Sequence, residues 1–164
     1  VPLWANLLAL EAEGEVVVGA CHLPALGELY WAARGQGAWL GDRRLRVSSI
    51  DRRDQSVLCV STFKDAAALR LLDRAPGFLP GFWSVRSLSG CYDAMLVASG
   101  RAEAWIELAA ASWDLAALQV IAEEAGARFF NLDGGRSVHG GNCVICVPAL
   151  EAELRAFVGA PPLK

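Results

Sequence analysis

Short apolar runs alternate with polar or glycine-bearing breaks along the chain, and their spacing sets the elements expected of it. Leu3 to Leu10 and Glu15 to Cys21 read as two β segments joined by the polar link Glu11-Ala12-Glu13-Gly14, which suits a hairpin turn. Glu28 to Ala33 reads as a third strand after a turn from Pro24 to Gly27. Gly35-Gln36-Gly37-Ala38-Trp39-Leu40 follows, then Gly41-Asp42-Arg43-Arg44 as a turn, then Leu45-Arg46-Val47. Strands joined by polar turns this short are expected to pair antiparallel.

Beyond residue 50 the rhythm changes. Val57 to Ser61 reads as a buried strand and Asp65 to Arg74 as a helix, with Pro76-Gly77 and Pro80-Gly81 breaking the chain. A helix over Cys91 to Ser99 is closed by Gly100. Then come a short strand over Ala104 to Glu107, a helix opening at Asp114, a strand over Arg128 to Leu132, a turn at Asp133-Gly134-Gly135, a strand over Cys143 to Val147 and a terminal helix over Ala149 to Val158. The tail Pro161-Pro162-Leu163-Lys164 is expected to fray. This alternation is the pattern of a layered α/β unit. The expectation is therefore an α+β, layered domain, with an antiparallel sheet portion over 1–50 and an α/β subdomain over 51–164.

The most regular stretch runs from Ser112 to Gly126. Leu115, Leu118, Ile121, Ala122 and Ala125 recur at helical spacing and should face a core, while Gly126 stands where a left-handed cap is wanted. Asp114 falls in the first turn, where the helix dipole favours negative charge. A carboxylate fixed there can serve as an N-cap or point into a cleft as a metal ligand.

Composition narrows the classes. The 164 residues are 54% hydrophobic, enough for a sizeable core in one domain. With 15 basic and 18 acidic residues the net charge is −3, which gives no pull toward nucleic acid or an anionic membrane. Five scattered cysteines, Cys21, Cys59, Cys91, Cys143 and Cys146, mostly with apolar neighbours, argue against a disulfide scaffold and for a reducing cytoplasm. Val1-Pro2-Leu3-Trp4 has no basic leader region, and no apolar run is long enough to span a bilayer.

Ser112-Trp113-Asp114-Leu115-Ala116-Ala117, continued by Glu124-Ala125-Gly126, resembles the W-D-x-A-A…E-A-G motif of the inositol monophosphatase family of magnesium-dependent phosphatases. Similar stretches occur along nearly the whole chain: Gly14 to Gly19 with Pro24, Glu28 to Ala38, Arg44 to Ser48, and Val97-Ala98-Ser99-Gly100 through Ala104. The resemblance implies an inositol-monophosphatase-like fold of alternating helix and sheet layers, a homodimer, and hydrolysis of a small alcohol phosphate with Mg²⁺. It implies Asp114 as a catalytic metal ligand. It also implies that Glu107, seven residues earlier, meets substrate hydroxyl or amine groups, and that Ser89, Gly90 and Cys91 form the substrate-facing run of small residues. Glu107 also reads as a solvated strand end, and the 89–91 run as an ordinary helix start.

The family's paired glutamates and its D-P-x-D-G-T motif are not in this chain, which begins without Met about where the residues after D-P-x-D-G-T should stand. The reading is a C-terminal part of such an enzyme, or a non-catalytic remnant acting as an interaction module. Pro24-Ala25-Leu26-Gly27, Phe82 to Arg86 with Gly90-Cys91-Tyr92, and His139-Gly140-Gly141-Asn142 look like the histidinol-phosphate phosphatase branch. The substrate expected is L-histidinol phosphate, with inositol monophosphate as the alternative.

Other signals are read as structural. Cys143-Val144-Ile145-Cys146 has C-x-x-C spacing, but residues three apart on a strand face opposite ways, so both thiols are expected in the core. Gly35-Gln36-Gly37 lacks the Lys-Ser/Thr of a phosphate loop. The arginines from Arg43 to Arg53, interrupted by acids, read as a solvated face, and the six tryptophans as core or cleft walls.

Overall fold

A computed structural model describes residues 2–61, 71–88 and 90–161. Among these residues, two five-stranded sheets and two pairs of α-helices stack as sheet, helices, sheet, helices. The first sheet is an antiparallel meander of β1 (Asn6–Ala12), β2 (Glu15–Leu23), β3 (Glu28–Ala33), β4 (Gly37–Leu40) and β5 (Arg43–Arg44) in chain order. Its first turn is tighter than expected: Ala12 pairs with Glu15, so Glu13 and Gly14 alone reverse the chain. Arg43 and Arg44, read as turn, pair with Leu40 and Trp39.

The second sheet is mixed, with strand order β7-β6-β8-β10-β9. β6 (Val57–Val60) lies parallel to β7 (Ser84–Arg86) and to β8 (Ala104–Glu107). β10 (Cys143–Cys146) runs antiparallel to β8 and to β9 (Arg128–Phe130). Helices α2 (Gly90–Ala98) and α3 (Ser112–Glu124) fill the space between the sheets. Helices α1 (Leu71–Phe78) and α4 (Glu151–Val158) cover the far face of the second sheet.

Helix α3 organises the middle layer. The five positions expected to face a core are buried, and so are Ala117, Gln119 and Val120. A helix packed between two sheets needs more than one apolar stripe, which is why the buried surface exceeds the amphipathic pattern. Its end is a Schellman motif. Gly126 N–H donates to the Glu123 carbonyl and Ala127 N–H to the Ala122 carbonyl, both at 2.9 Å, with Gly126 at φ 100°. The Cys143/Cys146 reading also holds: Cys143 packs in the core between the sheets and Cys146 in the core beneath α1 and α4. Burial pushes both thiols up, and Cys59 is pushed up to about 12, first by burial and then by Asp93.

Two further readings need correction. The expected break at Pro76-Gly77 does not occur, because α1 continues through both to Phe78, whose ring stacks on Phe157 of α4 at 4.1 Å. The rest of the helix read over Asp65 to Arg74 falls on residues 62–70, outside the described residues, as do 162–164 of the tail. The tryptophans are mostly not core: Trp105 is 1% exposed, but Trp4, Trp31, Trp83 and Trp113 are exposed, Trp113 by 76%. Among the described residues no helix is long and apolar enough to cross a membrane.

Candidate active site

The C-terminal end of β8, the start of α2 and the first turn of α3 meet at a cleft of about 230 Å³. Glu107 is the last residue of β8 and Trp105 lies two positions earlier, so both side chains leave the same face of the strand. Gly90 and Cys91, opening α2, stand across from them, and Asp114 of α3 closes one side. Four of the five site residues expected from sequence, Gly90, Cys91, Glu107 and Asp114, thus line one cleft. Ser89 lies outside the described residues.

Glu107 is buried rather than a solvated strand end. One carboxylate oxygen, Oε1, accepts the Ser61 hydroxyl proton at 2.6 Å and the Ala109 N–H at 3.3 Å. Burial holds its carboxyl above the usual range, offset in part by those donors, while the nearby Asp114 charge adds to the rise. The other oxygen, Oε2, lies beside Gly90, where an added Cβ would stand 3.1 Å away. Glycine at 90 therefore keeps open the approach to that oxygen.

Asp114 is exposed at the third position of α3. It is not the N-cap; Ala111 is, and its backbone N–H donates to Asp114 Oδ2 at 3.1 Å. That bond and the helix dipole fix the carboxylate at the cleft. Cys91 is half-buried, and its thiol contacts both the Leu3 carbonyl, at 3.6 Å, and Cys21. The Cys21 thiol is raised first by its hydrogen bond to Cys91 and then by burial.

One carboxylate does not make a magnesium site, since a hard cation takes several oxygen ligands. Among the described residues no three His, Cys, Asp or Glu side chains converge to hold a metal ion. The described residues therefore do not fit a complete Mg²⁺ centre on their own.

His139 does not line the cleft; its Nε2 lies 3.1 Å from Glu11 Oε2. The glycines after it act through the backbone, with the Gly141 carbonyl accepting the Ala110 N–H at 2.8 Å and so bracing the segment between Glu107 and Asp114. Sequence reasoning missed Ser61, whose partner is 46 residues away. Trp105, within the reading of the tryptophans as core or cleft walls, is buried and lines the cleft, and its i, i+2 spacing to Glu107 on a strand was a usable signal for singling it out.

A larger basin of about 550 Å³ lies at the far end of α3, lined by Arg34, Arg128, Arg136 and Arg155 with Glu123, Glu124 and Glu151. Its acids are already engaged. Arg136 pairs with Glu123, Arg128 and Arg155 pair with Glu151, and Glu124 accepts the N–H groups of Gly35 and Gly37. This is an ion-pair network tying the β3–β4 turn to α3, and the chemistry-bearing residues are in the smaller cleft.

Residues 1–158 match the inositol monophosphatase family. The chain belongs to the inositol monophosphatase family. It is 38% identical over 165 residues to a histidinol-phosphatase from Mycobacterium tuberculosis, covering 98% of this chain and 64% of that protein. It is 35% identical over 161 residues to an inositol-1-monophosphatase from Mesorhizobium japonicum, covering 93% and 60%. The crystal structure of the extragenic suppressor protein suhB from Bartonella henselae superposes with a TM-score of 0.87 at 27% identity, covering 96% of this chain and 62% of that one. The chain thus spans less than two thirds of these family members, and its alternating sheet and helix layers are theirs.

Proposed function

We propose that this chain is part of a magnesium-dependent phosphomonoesterase that hydrolyses a small alcohol phosphate, with L-histidinol phosphate as the preferred substrate and a homodimer as the working form. The convergence of Gly90, Cys91, Glu107 and Asp114 on one cleft carries the reading. Asp114 would supply one oxygen ligand to Mg²⁺, the other ligands coming from beyond the described residues. Glu107, with Oε1 already held, meets the amine or hydroxyl of the alcohol half. A cationic amine beside a buried carboxylate makes a charge-assisted hydrogen bond, which favours histidinol over a neutral polyol. The 38% identity to a histidinol-phosphatase supports the same choice. The 35% identity to an inositol-1-monophosphatase supports inositol monophosphate as a second reading.

The test is phosphate release by the intact protein from both esters, with and without Mg²⁺. Turnover of L-histidinol phosphate that requires Mg²⁺ is expected, and Asp114→Asn should lower it by roughly a hundredfold or more and weaken the Mg²⁺ dependence while leaving the fold intact. An unchanged Mg²⁺ dependence in that variant would remove Asp114 from the ligand set. No turnover of either ester would favour a non-catalytic family member acting as an interaction module.

A further inference from the structure

We propose that Ser61 is a positioning residue for substrate recognition: its hydroxyl holds one oxygen of Glu107 so that the other is presented beside Gly90. The proposal rests on Glu107 being the group that receives substrate donors. Ser61 follows β6 and joins three parts of the fold. Its N–H donates to the Ile106 carbonyl at 3.0 Å, continuing the pairing with β8. Its hydroxyl donates to Glu107 Oε1 at 2.6 Å. Its carbonyl accepts the Ser87 hydroxyl at 2.9 Å, from the segment that leads into α2. The same residue is thus pinned to the strand that carries Glu107 and to the segment that delivers Gly90 and Cys91.

The physical consequence is preorganisation. A glutamate side chain has several rotamers, and fixing it at the moment of binding costs affinity. Ser61 and Ala109 fix it beforehand, both through Oε1. On the opposite side Gly90 brings no Cβ to crowd Oε2. An ester whose alcohol half offers an N–H or O–H near the phosphate meets an oxygen already in place, whereas an ester without such a donor gains nothing from the arrangement. Ser61 therefore selects for donor-bearing alcohol phosphates through Glu107, without touching them.

The test uses the intact protein with L-histidinol phosphate and with p-nitrophenyl phosphate, whose alcohol half has no donor. Ser61→Ala should raise KM for the first relative to the second by roughly tenfold, the worth of one hydrogen bond to a charged group, with kcat for the first little altered. Ser61→Cys, which keeps the shape but is a weak donor, should shift the ratio the same way, and Ser61→Thr should restore it. In a Glu107→Ala background, where no side-chain oxygen remains for Ser61 to hold, Ser61→Ala should add nothing. Equal losses on both esters, or losses that add to those of Glu107→Ala, would overturn the proposal. If the unaltered protein releases phosphate from neither ester, the enzymatic reading fails instead. Ser61 is then judged by the carboxyl ¹³C resonance of Glu107, assigned by its disappearance in Glu107→Gln. That resonance should move in Ser61→Ala and stay in Ser61→Thr, and an unmoved resonance in Ser61→Ala overturns the assignment.

Discussion

A carboxylate buried at a cleft carries a stability cost, and at Glu107 that cost is measurable. Its folded carboxyl keeps its proton to higher pH than the ordinary value of 4.5, chiefly because burial penalises the charge. Between those two values the folded state binds more protons than the unfolded chain, so stability falls as pH rises through the window. Above it the full cost of burying the charge remains. Glu107→Gln keeps an oxygen for the Ser61 and Ala109 donors and removes the ionisation. The variant is expected to melt higher than the unaltered protein at neutral pH in metal-free buffer, with the gain shrinking toward pH 4, while substrate affinity drops. Melting curves with the same difference at both pH values would show that Glu107 is not the group responsible. At this scale the lining of the candidate cleft was legible where its marks are local. Asp114 sits in a helix mouth and Glu107 at the end of a four-residue strand, and each has flanking residues that announce the element. Ser61 was not legible, since a serine at a strand end has no local mark and its partner lies 46 residues on.

Elements, in turn, were legible in proportion to how sharply turn residues bound them. The strands Glu28–Ala33 and Ala104–Glu107 were read to the residue because a glycine turn precedes each of them. β7 escaped notice: Ser84–Arg86 is three residues long and is held by parallel pairing to β6, a contact that no short-range pattern encodes. α1 ran past Pro76 because packing of Phe78 on Phe157 outweighs the lost N–H. Between elements, β2 and α3 approach closely at Gly19. A Cβ at Gly19 would lie 2.5 Å from Val120 Cγ1 and 2.8 Å from the Ala117 carbonyl oxygen. A backbone carbonyl and a β-branched side chain have little room to retreat, so Gly19→Ala must push α3 off the first sheet. Overpacking of this kind costs about 1–3 kcal/mol, so the denaturation midpoint should fall, and with the role proposed for Asp114 in the first turn of α3, phosphate release by the intact protein should fall with it. Val120→Ala in the same chain should recover part of the loss by removing the nearer clash. A Gly19→Ala variant with an unchanged midpoint would mean that the sheet and helix do not approach this closely.

Across the whole molecule the four-layer order follows from which faces are apolar. The second sheet is apolar on both faces, as the opposite burial of Cys143 and Cys146 illustrates, and it has helices on both. Among the described residues, the first sheet is covered by helices on one face only, chiefly by α3. Its register places Leu8 opposite Ala20, Ala20 opposite Trp31 and Trp31 opposite Trp39, and residues directly opposite share a face. Leu10 and Val18 form the next row, and Leu29 lies beside Trp31's row on the same side. Leu8 is 75% exposed, and Trp31 stacks on Trp39 with ring centroids 5.8 Å apart. The alternating pattern of these strands is therefore apolar on the uncovered side as well, unlike an ordinary half-buried sheet with one polar face. A contiguous apolar face across four strands is more than a monomer in water usually leaves open. The 164-residue chain is accordingly expected to bind a hydrophobic fluorescent dye strongly and to self-associate as its concentration rises in sedimentation. Leu8→Lys combined with Trp31→Lys should suppress both, because two charges then interrupt the patch on β1 and β3, on either side of β2. A monomeric chain that leaves the dye dark would show that this face is not open in solution, and the first sheet would then need a different account of what its outward leucines and tryptophans pack against.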